Sequence, residues 1–249
     1  MRLISTSDIE EPKDYKFLMT PLWANVFYPG TLNLLTAPMK AGKSSFLYGW
    51  AKEMVRGTAW GGIAPAKPLK IAYYDLENPD AIQYAKFQNS KHPDFKVTQG
   101  AWLEDFTIHG IEKNWIETGW FPDVVIVEPL VFAINIRNEN DNNEMKNALK
   151  PFLKFARIGK LCIILVHHNR KPSAENPMDL PKYSARGAGS LGGIIDVQLN
   201  IVEGQTRRWV QVTMNRYGAG DNGSDLYEPR FILHYDNETK LSSGERVLY

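Results

Sequence analysis

The stretch LLTAPMKAGKSSFLYGW, residues 34–50, carries the strongest fold signal in this chain. An apolar run leads into a short turn, after which Gly42, Lys43 and Ser44 open a helical pattern. The stretch matches the phosphate-loop pattern G-x-x-x-x-G-K-[ST], except that Ala37 stands where the first glycine is usual. In such a loop, backbone N–H groups and a helix N-terminus face an anion. The stretch therefore predicts a nucleotide-binding loop between a strand and a helix.

The loop residues have separate predicted roles. Lys43 is expected to reach the β- and γ-phosphates, and the Ser44 hydroxyl is expected to bind Mg²⁺. Ala37 requires a backbone angle that alanine tolerates. The residues expected to enclose the nucleotide are Pro38, Met39, Lys40, Ala41, Gly42, Lys43, Ser44 and Ser45.

The composition narrows the class of protein. The chain has 249 residues, 43% of them hydrophobic, which suits one α/β domain spanning 1–249. Lysine and arginine total 29 against 28 aspartates and glutamates, so no overall basic field indicates nucleic acid. The only cysteine, Cys162, lies in an apolar run. Because there is no second cysteine, an intramolecular disulfide and a cysteine-rich zinc site are both excluded. With no secretory signal and no run near the roughly 20 apolar residues of a membrane span, we expect a soluble cytoplasmic protein.

Short apolar runs alternate with helical patterns along the chain. The predicted strands are 31–36, 70–77, 105–110, 123–129 and 160–168, with a helix at 142–157 between the last two. Runs that are apolar on both faces indicate a mostly parallel sheet flanked by helices, which binds ligands at the carboxyl ends of its strands. The later runs 196–203, 207–215 and 230–235 predict antiparallel edge strands.

Two acids follow the second predicted strand in YYDLENP. Strand alternation would place Asp75 and Glu77 on the same face at the carboxyl end of the sheet. A carboxylate there can orient or deprotonate a water that attacks the γ-phosphate. We assign Glu77 as the catalytic base. The alternative is a solvated strand end with a cap before Pro79.

The run DVVIVEPL has the form of a Walker B strand, four apolar residues followed by an acid that holds Mg²⁺ through water. The acid is Glu128, where aspartate is usual. The extra methylene lengthens its reach, so either the metal shell adjusts or hydrolysis is slow. The alternative is a purely structural Glu128.

The run ILVHHNRK ends the next predicted strand with His167 and His168. Adjacent strand residues point to opposite faces, so the pair is a poor zinc chelate. One imidazole at this strand end can hydrogen-bond the γ-phosphate or the catalytic carboxylate and report hydrolysis to the loop beyond. We assign this role to His167, and the alternative is a satisfied core histidine.

Taken together, these motifs resemble the RecA-like ATPases, and most closely the RepA-type hexameric helicases with their phage and prophage relatives. The matches fall in family order over residues 22–235. They are APMKAGKSS, YYDLENP, VVIVEPL, the asparagine-rich NENDNNEM, LVHHNRK, SARGAGSLGGIIDVQLNI and VTMNRYG.

The resemblance implies a RecA-like core in a homo-oligomeric ring, expected to be a hexamer, that hydrolyses ATP with Mg²⁺ while moving on single-stranded DNA. In that family the nucleotide's own subunit supplies Lys43, Ser44, Glu77 and the Walker B acid. Replication or recombination proteins are further candidate partners. The N-terminal leader, 1–22, is a candidate contact with a neighbouring subunit.

In the same family the neighbouring subunit supplies an arginine. Related DnaB-type motors carry a K-x-R pair on a late strand, and the corresponding stretch here is Met214-Asn215-Arg216. Arg216 is therefore the expected arginine finger, with Arg207 and Arg208 as weaker candidates. The alternative is a solvated hairpin arginine.

The expected DNA-facing elements are the loops after Glu128 and after His168. Residues 135–144 hold one arginine against three acids, a poor phosphate groove, whereas 170–186 hold four basic side chains against two acidic ones. The expected DNA contacts are Arg170, Lys171, Lys182 and Arg186.

Two other classes of function fit parts of the pattern. A RecA-like switch ATPase, such as a recombination mediator or loader, is favoured by Glu128 and by methionine at the lysine position of K-x-R. A small-molecule kinase would use residues 169–186 as a lid, but Glu77 is placed as a hydrolase needs it, and the late Asn-Arg hairpin has no use in a monomeric kinase.

Overall fold

The structure is a computed structural model. It describes residues 10–98, 106–139, 141–168, 193–203, 207–217, 230–235 and 242–247. The helices are α1 (Tyr15–Met19), α2 (Lys43–Arg56), α3 (Asp80–Phe87), α4 (Ile108–Thr118), α5 (Leu130–Ala133) and α6 (Asn142–Gly159). The strands are β1 (Leu32–Ala37), β2 (Ile71–Asp75), β3 (Phe95–Val97), β4 (Val124–Glu128), β5 (Cys162–His168), β6 (Val197–Glu203), β7 (Arg208–Asn215), β8 (Arg230–Tyr235) and β9 (Ser242–Val247).

The nine strands form one sheet in the order β3-β2-β4-β5-β1-β6-β7-β8-β9. Pairing is parallel from β3 through β6 and antiparallel from β6 through β9. The predicted mostly parallel sheet with antiparallel C-terminal strands is confirmed. Because the parallel strands run in one direction, β1, β2, β4 and β5 all end at the same edge of the sheet.

Helices cover both faces of the parallel part of the sheet. In β4, Val124 and Ile126 join an apolar cluster with residues of α2. Val125 and Val127 join a second cluster with residues of α4 and α6. This alternation explains why the strand is apolar along its whole length, since both of its faces are buried.

The prediction of a strand at 105–110 is wrong for the described residues 106–110. Ile108 begins α4, and the Thr107 hydroxyl caps that helix by accepting the backbone N–H of Gly110 at 3.0 Å. The edge strand is β3 instead, only three residues long. Threonine at an N-cap explains why a short apolar run here starts a helix. The strand β9 was also not predicted.

The aromatic residues after the N-terminal leader belong to this chain's own core. Trp23 is buried and its ring contacts the rings of Trp50, Trp60 and Phe231. Tyr15, in α1, is exposed. Within the described parts of the chain, no helix combines the length and the apolar character needed to cross a membrane.

Candidate nucleotide-binding site

The loop between β1 and α2 has the backbone form that the phosphate-loop pattern requires. Gly42 precedes α2 with a φ of 95°, a left-handed conformation that glycine adopts without a Cβ clash. Lacking a side chain, Gly42 cannot cap the first N–H groups of α2, which suits a bound anion. Ala37 is the last residue of β1 and has extended backbone, so the missing first glycine imposes no strain.

Lys43 lies over this loop and is only 6% exposed. Its ammonium donates hydrogen bonds to the carbonyls of Ala37 and Pro38, at 3.2 and 3.0 Å. Burial lowers the pKa of Lys43, and the charges of Glu128 and Glu77 oppose that shift. The loop therefore holds a desolvated cation at the carboxyl end of β1, as charge pairing with a phosphate requires.

Glu128 ends β4 and is 5% exposed. Its Oε1 accepts a 2.8 Å hydrogen bond from the Ser44 hydroxyl, and its Oε2 accepts a hydrogen bond from the Tyr73 hydroxyl. Burial raises the pKa of Glu128, whereas these two hydrogen bonds lower it. The two residues assigned to the metal, Ser44 and Glu128, thus lie in contact.

The donor chemistry fits Mg²⁺. This ion prefers oxygen ligands and is commonly held by one or two carboxylates together with substrate phosphates. Ser44 and Glu128 supply a hydroxyl and a carboxylate beside the phosphate loop. In the described ranges no three His, Cys, Asp or Glu side chains gather into a metal site, so the remaining ligands would come from nucleotide and water.

Asp75 and Glu77 do not share an environment, contrary to the expectation from strand alternation. Strand β2 ends at Asp75, which is 2% exposed, and the chain then turns so that Glu77 is exposed. Asp75 Oδ1 accepts the backbone N–H groups of Glu77 and Asn78, at 3.3 and 3.0 Å, and Oδ2 accepts the Tyr48 hydroxyl at 2.9 Å. Asp75 therefore builds the turn that carries Glu77.

The two histidines also differ in position. Parallel pairing sets Thr36 opposite His167 and Ala37 opposite His168. Nδ1 of His168 lies 3.1 Å from the Lys43 ammonium, whereas His167 is buried at 2% exposure. The residue brought to the phosphate loop is therefore His168, the neighbour of the residue assigned from the sequence.

The three candidate arginines lie at two different edges of the sheet. Antiparallel pairing of β6 with β7 sets Glu203 opposite Arg208 and Val197 opposite Asn215. Because β6 is parallel to β1, Arg208 lies at the phosphate-loop edge, and a Cβ on Gly42 would be 3.9 Å from its Nη1. Arg207 is the neighbouring exposed residue.

Arg216 is exposed and follows the other end of β7. Its backbone N–H donates to the carbonyl of Asp196 at 3.0 Å. This position is at the edge of the sheet opposite the phosphate loop of the same chain. Arg216 therefore lies away from the phosphate loop of its own chain.

The expected DNA contacts all belong to the segment predicted to form a loop after His168. Arg170, Lys171, Lys182 and Arg186 all lie outside the described residues. In the other loop, the acidic side chains shape the start of α6. Asp141 accepts the backbone N–H groups of Asn143 and Glu144, and Glu144 accepts those of Arg137 and Asn138.

The sheet order, the phosphate loop and the Ser44–Glu128 contact define a P-loop ATPase with a RecA-like fold. The chain belongs to the AAA domain family, whose model matches residues 19–174. No curated protein sequence matches the chain.

Two solved structures share the fold. A KaiC-like protein from the hyperthermophilic archaeon Pyrococcus horikoshii matches at a TM-score of 0.56 and 10% identity, over 89% of this chain and 91% of that one. A DnaB-like replicative helicase, described with its interactions with primase, matches at 0.61 and 14% identity, over 87% of this chain. This chain spans 58% of the length of the helicase chain.

Proposed function

We propose that this protein is a ring-forming ATPase that moves on single-stranded DNA, in the manner of the RepA-type helicases it resembles. The observation that carries the ATPase part is the 2.8 Å hydrogen bond between Ser44 and Glu128, which joins the phosphate loop to the Walker B acid. The DnaB-like helicase structure shares the fold and supports the same class of motor.

The proposed chemistry uses four positions of one subunit. Lys43 neutralises the β- and γ-phosphates, while Ser44 and Glu128 would hold Mg²⁺, which would offset charge on the same phosphates. Glu77 orients the attacking water and accepts its proton. Its exposure at the turn after β2 leaves the carboxylate accessible to such a water.

The histidine role moves one residue along the chain. The sequence assigned His167 to the link between the nucleotide and the loop beyond β5. Because His168 lies 3.1 Å from the Lys43 ammonium, we propose that His168 makes this link. His167 is buried and lies opposite Thr36 of β1 in the sheet.

The ring is supported by the position of Arg216 at the edge opposite its own phosphate loop. In the proposed assembly Arg216 reaches the γ-phosphate bound by the adjoining subunit, as an arginine finger does. Single-stranded DNA would be followed by the basic residues Arg170, Lys171, Lys182 and Arg186. In a ring, every subunit carries the same basic residues, so many weak contacts along the DNA act together.

The test is ATP hydrolysis with and without single-stranded DNA, together with particle mass in the presence of an ATP analogue and Mg²⁺. We expect a ring-sized particle and a turnover that single-stranded DNA stimulates severalfold. Glu77→Gln protein, purified in parallel, controls for contaminating ATPase. A monomeric protein whose ATP turnover is unchanged by single-stranded DNA would contradict the proposal.

The second candidate is a switch ATPase that loads or releases a partner without unwinding DNA. Glu128 favours it, because the longer acid is hydrogen-bonded on both oxygens in a site that would then turn over slowly. A strand-displacement assay separates the two candidates. DNA-stimulated hydrolysis without displacement of a paired strand would favour the switch.

A further inference from the structure

Two tyrosines lie beneath the acids at the carboxyl ends of β2 and β4. The Tyr73 hydroxyl donates to Oε2 of Glu128, and the Tyr48 hydroxyl donates to Oδ2 of Asp75 at 2.9 Å. Both tyrosines are 1% exposed, and their ring centroids lie 4.7 Å apart. Each buried acid therefore has its own phenol, a contact that the motifs containing these tyrosines did not predict.

The strand register explains why Tyr73 reaches Glu128. Strand β2 pairs with β4 so that Tyr73 lies opposite Ile126 and Asp75 lies opposite Glu128. Residues two apart on a strand share a face, and Tyr73 and Ile126 both join the cluster packed on α2. The phenol thus extends along the face that also carries the Glu128 side chain. Burial and the nearby charge of Glu128 raise the pKa of Tyr73 well above its ordinary value, so its hydroxyl remains a donor.

The two oxygens of the Glu128 carboxylate have different hydrogen-bond partners. Oε2 is taken by Tyr73, while Oε1 faces the Ser44 hydroxyl at the phosphate loop. A carboxylate held at one oxygen loses its freedom to rotate, so the other oxygen keeps one direction. Glutamate is one methylene longer than the aspartate usual at this position, so its side chain has one more rotatable bond for such a hydrogen bond to restrain.

We propose that Tyr73 is a positioning residue for Glu128, fixing the carboxylate so that Oε1 and Ser44 together receive the Mg²⁺ of a bound nucleotide. The proposal rests on the proposed ATPase function. Removing a group that hydrogen-bonds to a metal ligand typically lowers metal affinity about 10–100-fold. Tyr73 would thereby adapt a site with glutamate to a task usually performed by aspartate.

Tyr73→Phe removes the hydroxyl and keeps the ring. Binding of a fluorescent ADP analogue is measured in EDTA and across a Mg²⁺ titration. We expect unchanged binding in EDTA and a roughly 10-fold or larger rise in the Mg²⁺ concentration at half effect. Mn²⁺ binding in the presence of ADP, followed by electron paramagnetic resonance, should weaken in parallel.

Tyr74→Phe is the matched control. Tyr74 is the next residue of β2, and its hydroxyl accepts a 3.1 Å hydrogen bond from the indole N–H of Trp115. The substitution also removes a phenol hydrogen bond, but on the face away from Glu128. We expect its Mg²⁺ titration to match that of the unchanged protein. An equal shift in both variants would overturn the positioning role.

Glu128→Asp gives a second test that does not depend on the folding of Tyr73→Phe. Shortening the acid withdraws the carboxylate from Tyr73, so Mg²⁺ affinity should fall even though aspartate is the usual residue. In the double variant, the two losses should be less than additive, because both break the same contact. Unchanged or tighter Mg²⁺ binding by Glu128→Asp would overturn the inference.

The outcomes for the two proposals are separable. If the unchanged protein binds no nucleotide, the proposed function fails, and the positioning role that rests on it fails as well. If the unchanged protein binds Mg²⁺ and ADP normally and Tyr73→Phe does the same, only the positioning role of Tyr73 is lost.

Discussion

The Ser44 hydroxyl lies 2.8 Å from Oε1 of Glu128, although 84 positions separate the two residues along the chain. Strand β5 lies between β1 and β4 in the sheet, so the contact is made across the carboxyl ends of the strands by the first turn of α2. The fold therefore brings the phosphate loop into direct contact with Glu128, the acid assigned to the metal.

Lys43→Ala should abolish ATP hydrolysis. The substitution removes the cation expected to pair with the β- and γ-phosphates. Release of inorganic phosphate by the purified variant is the measurement, and Lys146→Ala, at an exposed position of α6, is the control. Full turnover in Lys43→Ala would show that the phosphate-loop assignment is wrong.

Glu77→Gln should keep nucleotide binding and lower turnover by about 10²-fold or more, because the amide retains the shape of the side chain but cannot accept the proton. Binding of a fluorescent ATP analogue and steady-state phosphate release measure the two effects separately. Loss of binding would instead make Glu77 structural.

Asp75→Ala should lower stability, in contrast to Glu77→Gln, because Asp75 holds the turn that carries Glu77. It would leave the Tyr48 hydroxyl and two backbone N–H groups without their acceptor. Hydrogen bonds to a charged group contribute about 1.5–3 kcal/mol each. We expect the free energy of unfolding of Asp75→Ala to fall by at least that much, whereas that of Glu77→Gln should stay near the original value.

His168→Asn and His167→Asn should have different effects. His168 contacts the Lys43 ammonium, so its replacement should lower turnover about 10-fold with little change in melting temperature, a loss of roughly one hydrogen bond to a charged group. His167 is buried, and its replacement should lower the free energy of unfolding by about 0.5–3 kcal/mol. Thermal melting and ATPase assays on both variants check the assignment. The opposite pattern would return the role to His167.

Cys162 should resist alkylation in the folded protein. Burial raises the pKa of its thiol to about 12, so at pH 8 the reactive thiolate is about 10⁻⁴ of the total. We expect iodoacetamide labelling, followed by mass spectrometry, to appear only under denaturing conditions. Rapid labelling of the native protein would show that the apolar run in β5 opens readily.

The phosphate loop and the mostly parallel character of the sheet follow from local patterns. The turn with Gly42, Lys43 and Ser44 combines an apolar strand, a glycine and a helix start within a few residues, and each has a short-range physical cause. The acid at Glu128 was likewise found from its strand. These features do not depend on distant parts of the chain.

Other features depend on where elements end and on distant contacts. The environments of Asp75 and Glu77 were mispredicted because β2 stops at Asp75, a boundary that alternation alone does not mark. The role of Tyr73 depends on a partner 55 positions away, and no local signal distinguishes that tyrosine from a core residue. Which of the two histidines faces Lys43 depends on the register of β5 against β1.

Arg216→Ala tests the central claim, that ATP is hydrolysed between subunits. The variant should fold and bind nucleotide but lose about 10³-fold in turnover, as expected on removal of an arginine finger. Lys43→Ala subunits lack a working phosphate loop but can donate Arg216, whereas Arg216→Ala subunits keep the loop. Mixing the two inactive proteins should therefore restore ATPase activity at interfaces with both parts intact. A mixture that stays as inactive as its components, although co-assembly is demonstrated, would contradict the role of Arg216 across the interface.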